Sequence, residues 1–170
     1  MKKLKVTIIG YGGMGSFHAK LIQANPEVEV HGIFDILESR QQAGEADGYS
    51  AYASLEEALN DACADTILIA TPNDVHKEIA VQALEAGKHV ICEKPVTLNS
   101  EELSEIMHTA KEHERVFMVH QNRRWDSDFQ MVKDLYENRK IGEVFHIESR
   151  VQGANGIPGD WRHLKAHGGG

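Results

Sequence analysis

Three short clusters in this chain hold residue types that chemistry requires. Gly10-Tyr11-Gly12-Gly13-Met14-Gly15 fits G-x-G-x-x-G. In such a turn the first glycine allows the tight bend, the second lets backbone approach a pyrophosphate, and the third lets the following helix pack closely on the strand. The helix then offers unpaired N–H groups and a positive dipole end to phosphate. Asp35 follows twenty positions after Gly15, the spacing at which a carboxylate accepts hydrogen bonds from the adenosine ribose. A carboxylate there repels a 2′-phosphate, so NAD is expected in preference to NADP. Arg40 lies close enough in sequence to stack on adenine or to meet a phosphate. The same glycines would also suit a flavodoxin-like turn with a surface aspartate, or an S-adenosylmethionine site, which has no pyrophosphate to hold. Nothing else in the chain supports methyl transfer.

Ile67-Leu68-Ile69-Ala70-Thr71-Pro72-Asn73 reads as a strand ending in a turn, with His76 three residues beyond, and His89-Val90-Ile91-Cys92 runs directly into Glu93-Lys94-Pro95. In an open α/β sheet, ligands bind outside the carboxyl ends of the strands, and both clusters fall there beside the glycine turn. Taken alone, Lys94 reads equally well as a surface cation; beside a dinucleotide turn it becomes a candidate for chemistry. An ammonium suits proton donation to a reacting oxygen and its polarisation, and an imidazole suits proton transfer near neutral pH. Cys63 and Cys92 are the only cysteines, far apart and outside any C-x-x-C, so paired-thiol and zinc chemistry has no support. Both are expected as buried small hydrophobes, and no metal is expected.

These clusters need strands that end together and helices that begin there. Residues 5–9 read as a buried strand and 14–24 as a helix, stopped at Asn25-Pro26 because proline restricts the residue before it and cannot continue the turn. The pattern continues as strand 28–35, helix 37–43 and a brief extended piece at 49–52. Ser54 and Glu57 have capping-box spacing for a helix over Leu55–Asn60. Then come strand 66–70, helix 75–86 closed by Gly87, strand His89–Cys92, helix 100–113 and strand 116–120. Strands alternating with helices over short connections mean an α/β fold, a doubly wound parallel sheet with helices on both faces. Residues 1–120 are expected to form this dinucleotide-binding (Rossmann) domain.

Beyond it, 126–138 reads as a helix with Phe129, Val132, Leu135 and Tyr136 on one face, 144–151 as an alternating strand, and 153–170 as glycine-rich and polar. One helix and one strand cannot make a two-layer core. Residues 121–170 are therefore expected to open a second, α+β domain for substrate and oligomerisation that the chain does not complete. Solvating the apolar helix face is costly and an unpaired strand invites another. Self-association into a homo-oligomer is expected, with residues 144–150 at or beside the contact.

Composition sets the outer limits. The 170 residues are 41% hydrophobic and 26% charged, which excludes a disordered, collagen-like or coiled-coil chain. The formal charge is −8, its acidic excess lying within the first 110 residues, and an acidic body argues against a nucleic-acid partner. No apolar run approaches the roughly 18 residues of a membrane span. Met1-Lys2-Lys3 leads into an apolar stretch broken at Gly10, a poor secretory signal. A cytoplasmic chain without nucleic-acid or membrane partners is expected.

Taken together, IIGYGGMG with Asp35, ATPNDVH, VICEKPVTLN, Gln121-Asn122-Arg123-Arg124-Trp125-Asp126 and IGEVFHIESR resemble the glucose–fructose oxidoreductase, inositol dehydrogenase and rhizopine-catabolism family (Gfo/Idh/MocA) over essentially the whole chain. The resemblance implies hydride transfer between nicotinamide and a sugar, inositol or related polyol. It implies that Gly10, Tyr11, Gly12, Gly13 and Met14 wrap the pyrophosphate and Asp35 holds the adenosine ribose. Thr71, Pro72, Asn73 and His76 line the middle of the cofactor, and Glu93 and Lys94 sit near the nicotinamide ribose, with Lys94 also reaching the substrate hydroxyl. Asn122 and Arg123 border the nicotinamide pocket, and Trp161 and Arg162 match a family pair that approaches the cofactor from the second domain. The plainer alternatives are that His76 is a helix-start residue that never meets ligand, and that Trp125 and Trp161 pack at the domain junction.

The family pattern continues past its glycine run into an Asp and a His that partner the lysine, whereas this chain reads Gly168-Gly169-Gly170 and stops. His163 and His167 stand at other motif positions. Two functions are therefore carried forward: an NAD-dependent dehydrogenase acting on CH–OH groups, of which this 170-residue chain is a truncated part expected to be inactive alone, and a dinucleotide-binding module or fragment without turnover.

Overall fold

A parallel strand covered on both faces is buried residue after residue, as are Val6 to Ile9 of β1 (Leu4–Ile9) and all of β3 (Thr66–Ile69). In the computed structural model, which describes residues 3–150, 152, 161 and 164–167, these two pair with each other inside a five-stranded parallel sheet. β2 (Val28–Phe34), β4 (His89–Cys92) and β5 (Phe117–Val119) complete it in the order β2-β1-β3-β4-β5. Beside β2 lies one further parallel bridge, Ile33 to Ala51. It is built from Ile33 N–H to Ser50 O and Tyr52 N–H to Ile33 O, both 2.9 Å. The extended piece at 49–52 therefore continues the sheet beyond β2. Counted as a strand, it turns the order into 3-2-1-4-5-6, that of dinucleotide-binding sheets, and not the 2-1-3-4-5 of flavodoxin-like ones.

Five helices serve this sheet: α1 (Gly13–Gln23), α2 (Glu38–Ala46), α3 (Leu55–Asn60), α4 (His76–Glu85) and α5 (Ser100–Glu112). Two begin by the same device. Ser54 Oγ accepts the Glu57 N–H at 3.1 Å while Glu57 reaches back to the Ala53 N–H. Asn99 Oδ1 accepts the Glu102 N–H at 2.9 Å while Glu102 reaches back to Leu98. Alternation along the strands sends side chains to two cores. Ile9, Ile67, Ile69 and Val90 pack with Leu59, Leu84 and Ile106, and Val6, Ile8 and Leu68 pack with Tyr11, Ala19 and Ile33. Of the cysteines, Cys92 is buried as expected, but Cys63 is exposed. It lies in the turn after α3, whose backbone carbonyls at Asp61 and Ala64 bond inward to the buried Lys88 ammonium.

Asp61 ties that turn to the sheet edge. Its Oδ2 accepts from Tyr52 Oη at 2.6 Å and lies 3.0 Å from His31 Nε2, and its Oδ1 accepts the Cys63 N–H at 2.7 Å. The Tyr52 hydroxyl first, then the Cys63 N–H and His31, outweigh burial and hold the carboxyl at about 2 against an ordinary 3.8. A carboxyl depressed on folding contributes stability that is complete above its unfolded value and is lost as pH falls through its folded one. Asp61→Asn is expected to cost about 1–2 kcal/mol at neutral pH. It should also flatten the acid limb of a stability–pH curve between pH 3.8 and about 2. Chemical denaturation along a pH series measures both effects, and an acid limb left unchanged contradicts the assignment.

Residues Met1–His120 with Trp161–Gly170 form one compact unit, and Gln121–Asp160 form another. In the first, the short turn Lys165–His167 is fastened by His167 Nδ1, 3.0 Å from Asp74 Oδ2. In the second, a 3₁₀ turn (Asn122–Trp125) leads into α6 (Ser127–Glu137), none of whose residues is buried. The strand expected at 144–151 is not formed: residues 144–150 join no ladder and Phe145 is 99% exposed, while Val151 lies outside the described residues. An alternating pattern becomes a strand only where a neighbour takes up its N–H and C=O groups, and the described part of this unit holds no other strand. Among the described residues this unit shows the helix of the expected α+β domain and none of its sheet. No described helix is long and apolar enough to cross a membrane.

Candidate functional site

The glycine turn leaves the carboxyl end of β1 bent as the motif requires. Gly10 has φ +93°, and a Cβ there would lie 2.7 Å from Ala70 O, so only glycine fits. Its N–H donates to Phe34 O at 2.7 Å. A Cβ on Gly15 would collide with the Gly10 carbonyl oxygen, so α1 rests directly on the turn. Between them, Gly12 and Gly13 face open space, since a Cβ on either meets nothing within 4 Å. Gly12 is the N-cap of α1, no side chain caps it, and the first turn has no acidic residue. Orphan N–H groups and a positive dipole end therefore open onto glycine-bordered space, which fits a pyrophosphate.

Asp35 is joined to this turn. Its Oδ2 accepts the Tyr11 N–H at 2.8 Å and its Oδ1 the Leu37 N–H at 2.9 Å. A carboxylate has about four acceptor sites, so two remain for ribose hydroxyls. The Tyr11 side chain points away into the core, its hydroxyl donating to Asp47 at 2.8 Å. Burial first, and then Asp47, push that phenol well above its ordinary value. With its N–H on Asp35 and its hydroxyl on Asp47, Tyr11 shapes the turn and has no donor left for ligand. Met14 is half-buried in the first turn of α1, and Arg40 is exposed on α2.

At the ends of β3 and β4, Thr71 and Pro72 are half-buried and Asn73 is buried. His76 is fully buried, with Nε2 3.0 Å from Thr71 O and Nδ1 3.1 Å from Pro95 O. It straps the two loops together and presents no surface to ligand. Pro95 follows a cis peptide bond. Lys94 is exposed and carries no ion pair among the described residues. Its neighbour Glu93 is 5% exposed, and its Oε1 lies 2.7 Å from His18 Nε2 and 2.9 Å from His120 Nδ1. The Cys92 thiol, pushed up to about 12 by burial and then by Glu93, stays protonated and unreactive.

The turn, Asp35, Thr71–Asn73 by position and Lys94 therefore share the carboxyl edge of the sheet in the first unit. Trp161 is half-buried in that unit, and Arg162 lies outside the described residues. Asn122 and Arg123 are exposed in the 3₁₀ turn of the second unit, where Arg123 pairs with Asp126 at 2.8 Å. Sequence reasoning passed over His18 and His120. The available signal was the stripe Gly15, His18, Ala19, Ile22 on α1: a histidine on a core-facing stripe must find a polar partner.

Comparison with known proteins agrees with this geometry. A crystal structure of an NAD-binding protein from Listeria innocua is 60% identical, with TM-score 0.96 over 99% of this chain and 50% of that one. The oxidoreductase YdgJ of Escherichia coli is 37% identical over 96% of this chain and 51% of its own length. The scyllo-inositol 2-dehydrogenase (NADP(+)) IolW of Bacillus subtilis is 34% identical over 83% of this chain and 39% of its own. The chain thus spans about half the length, or less, of the curated relatives it matches. Residues 4–121 match the model of the GFO_IDH_MocA oxidoreductase family, described by its NAD-binding Rossmann fold. With glycine turn and strand order agreeing, this chain belongs to the Gfo/Idh/MocA oxidoreductase family and carries its NAD-binding domain.

Proposed function

We propose that this chain forms the NAD side of a dehydrogenase that moves a hydride between nicotinamide and the carbinol carbon of a sugar, inositol or related polyol, with residues 121–170 beginning its substrate domain. The observation that carries this reading is Lys94: an exposed ammonium without an ion partner among the described residues, on the same sheet edge as the uncapped turn and Asp35. The inositol dehydrogenases among its relatives support the substrate class.

When bound, NAD supplies the hydride acceptor or donor. The backbone N–H groups of residues 12–14 hold the pyrophosphate in the bend that Gly10 and Tyr11 shape, Asp35 holds the adenosine ribose, and Arg40 flanks the adenine. Thr71, Pro72 and Asn73 border the middle of the cofactor, while His76 and Glu93 hold those loops from beneath. In reduction, the Lys94 Nζ donates a proton to the carbonyl oxygen as it becomes a hydroxyl. In oxidation the step runs in reverse, and Lys94 Nζ takes the hydroxyl proton as the hydride leaves the carbinol carbon. Asn122, Arg123, Trp161 and Arg162 are assigned to the nicotinamide end on the family resemblance.

The test is a panel of inositols, hexoses and their derivatives with NAD+, followed by NADH absorbance beside a direct measurement of NAD+ binding. The expected result is binding, with turnover on at least one cyclic polyol or sugar once the substrate domain is complete. Binding with no turnover across the panel contradicts the dehydrogenase reading and leaves a non-catalytic module.

A further inference from the structure

Two histidines that meet on Glu93 have no part in the roles above. His18 lies on the inner face of α1, Glu93 at the carboxyl end of β4 and His120 directly after β5. His18 and Glu93 are each 5% exposed. A single oxygen, Glu93 Oε1, stands 2.7 Å from His18 Nε2 and 2.9 Å from His120 Nδ1, while Oε2 faces the Lys94 N–H at 3.2 Å. The two rings meet edge to face, their centroids 4.5 Å apart, and the His120 N–H is anchored on Cys92 O at 2.8 Å.

Burial works against a charged Glu93, yet the His18 bond, the electrostatic pull of the two ring N–H groups and the Lys94 N–H outweigh it and hold the carboxyl below its ordinary range. An ionised carboxylate only accepts, so both rings donate: His18 through Nε2–H and His120 through Nδ1–H. The three ligand atoms lie within 4.8 Å of one another, a spacing a metal ion would also accept, but two N–H donors on one carboxylate require none.

This oxygen belongs to the residue that precedes Lys94, and it joins that residue to α1, whose N-terminus borders the glycine turn, and to the end of β5. We propose that His18 and His120 are positioning residues of the NAD site: through Glu93 they fix α1 and the Lys94 loop to one another, so that dinucleotide affinity depends on an N–H donor at each ring position. The proposal rests on the glycine turn being the NAD site. Neither ring contacts the cofactor in this account. Both act through Glu93.

The test is calorimetric titration of the 170-residue chain with NAD+, with and without a chelator, on the parent and four variants. His18→Phe and His120→Phe remove the donors but keep a ring. His18→Gln and His120→Asn return an N–H near Nε2 and Nδ1 respectively. The phenylalanine variants are expected to bind NAD+ about tenfold more weakly or worse, and the amide variants to recover to within about threefold of the parent. Should a phenylalanine variant fail to fold, His18→Met against His18→Gln carries the same comparison. Histidine ¹H–¹⁵N spectra are expected to show His18 protonated at Nε2 and His120 at Nδ1.

Phenylalanine variants that bind like the parent, amide variants no better than phenylalanine ones, the opposite tautomers, or an affinity that changes with chelator would each overturn the histidine tie. A folded parent that does not bind NAD+ at all overturns the reading of the turn itself, and the two failures are told apart by that first titration.

Discussion

In the protein with its substrate domain complete, replacing Lys94 by alanine is expected to lower turnover on the best polyol substrate by about 10²- to 10⁴-fold, the range of a positioned proton-transfer group. NAD+ affinity should change much less. The reason is where the side chain stands: exposed, at the end of β4, and free of ion pairs among the described residues, so its removal leaves no buried charge and disturbs no core. The loop itself is held by His76 and Glu93, which the substitution does not touch. Because the ammonium acts on the reacting oxygen, kcat and kcat/KM for the polyol should fall together. Steady-state kinetics with both substrates varied checks this. Turnover within twofold of the parent, about 0.4 kcal/mol, would return Lys94 to the status of a surface cation.

The second large effect lies in the turn and separates fold from binding. Gly15→Ala drives a methyl group into the Gly10 carbonyl, with Ile8 Cγ2 only 3.3 Å away, and neither backbone nor core can move freely. The expected cost is about 2–4 kcal/mol of stability, with NAD+ affinity lost alongside it. Gly13→Ala is the counterpart. Gly13 is helical and its Cβ meets nothing within 4 Å, so alanine should leave stability unchanged or raise it by up to about 1 kcal/mol. The methyl then occupies the space assigned to pyrophosphate, and NAD+ affinity should fall by about tenfold or more while the fold persists. Thermal melts beside NAD+ titrations separate the pair. A Gly13→Ala chain that binds as well as the parent places the phosphates elsewhere.

Much of the first unit was legible because its signals are local. The apolar runs of β1 and β3, the Ser54–Glu57 box and the glycine turn each lie within a few residues, and each describes its own element. The place of Asp35 beside the turn was legible because its distance from the turn is set by one helix and one strand. The His18–Glu93–His120 group was not, since its members stand 75 and 27 residues from Glu93 and become neighbours only when α1, β4 and β5 are in place. The same holds for His76, whose partners are carbonyls of two separate loops. The alternation at 144–151 misled for the opposite reason. It specifies which face a strand would bury but not that a neighbouring strand exists, and with none among the described residues of its unit, 144–150 join no ladder. Cys63 was misjudged on residue type alone: its turn directs carbonyls inward to Lys88 and leaves the thiol outside.

The central claim is that Asp35, held on the Tyr11 and Leu37 N–H groups, receives the adenosine ribose and makes this an NAD site. A relative whose name carries NADP(+) shows that family membership alone does not decide the matter. The most direct measurement is calorimetric titration of the same chain with NAD+ and with NADP+, repeated on Asp35→Ser. The account predicts NAD+ bound at least about tenfold more tightly, about 1.4 kcal/mol, with the gap narrowed in Asp35→Ser because the repulsion of a 2′-phosphate is gone. NADP+ bound tenfold tighter by the parent, or a gap that Asp35→Ser leaves unchanged or widens, would contradict it.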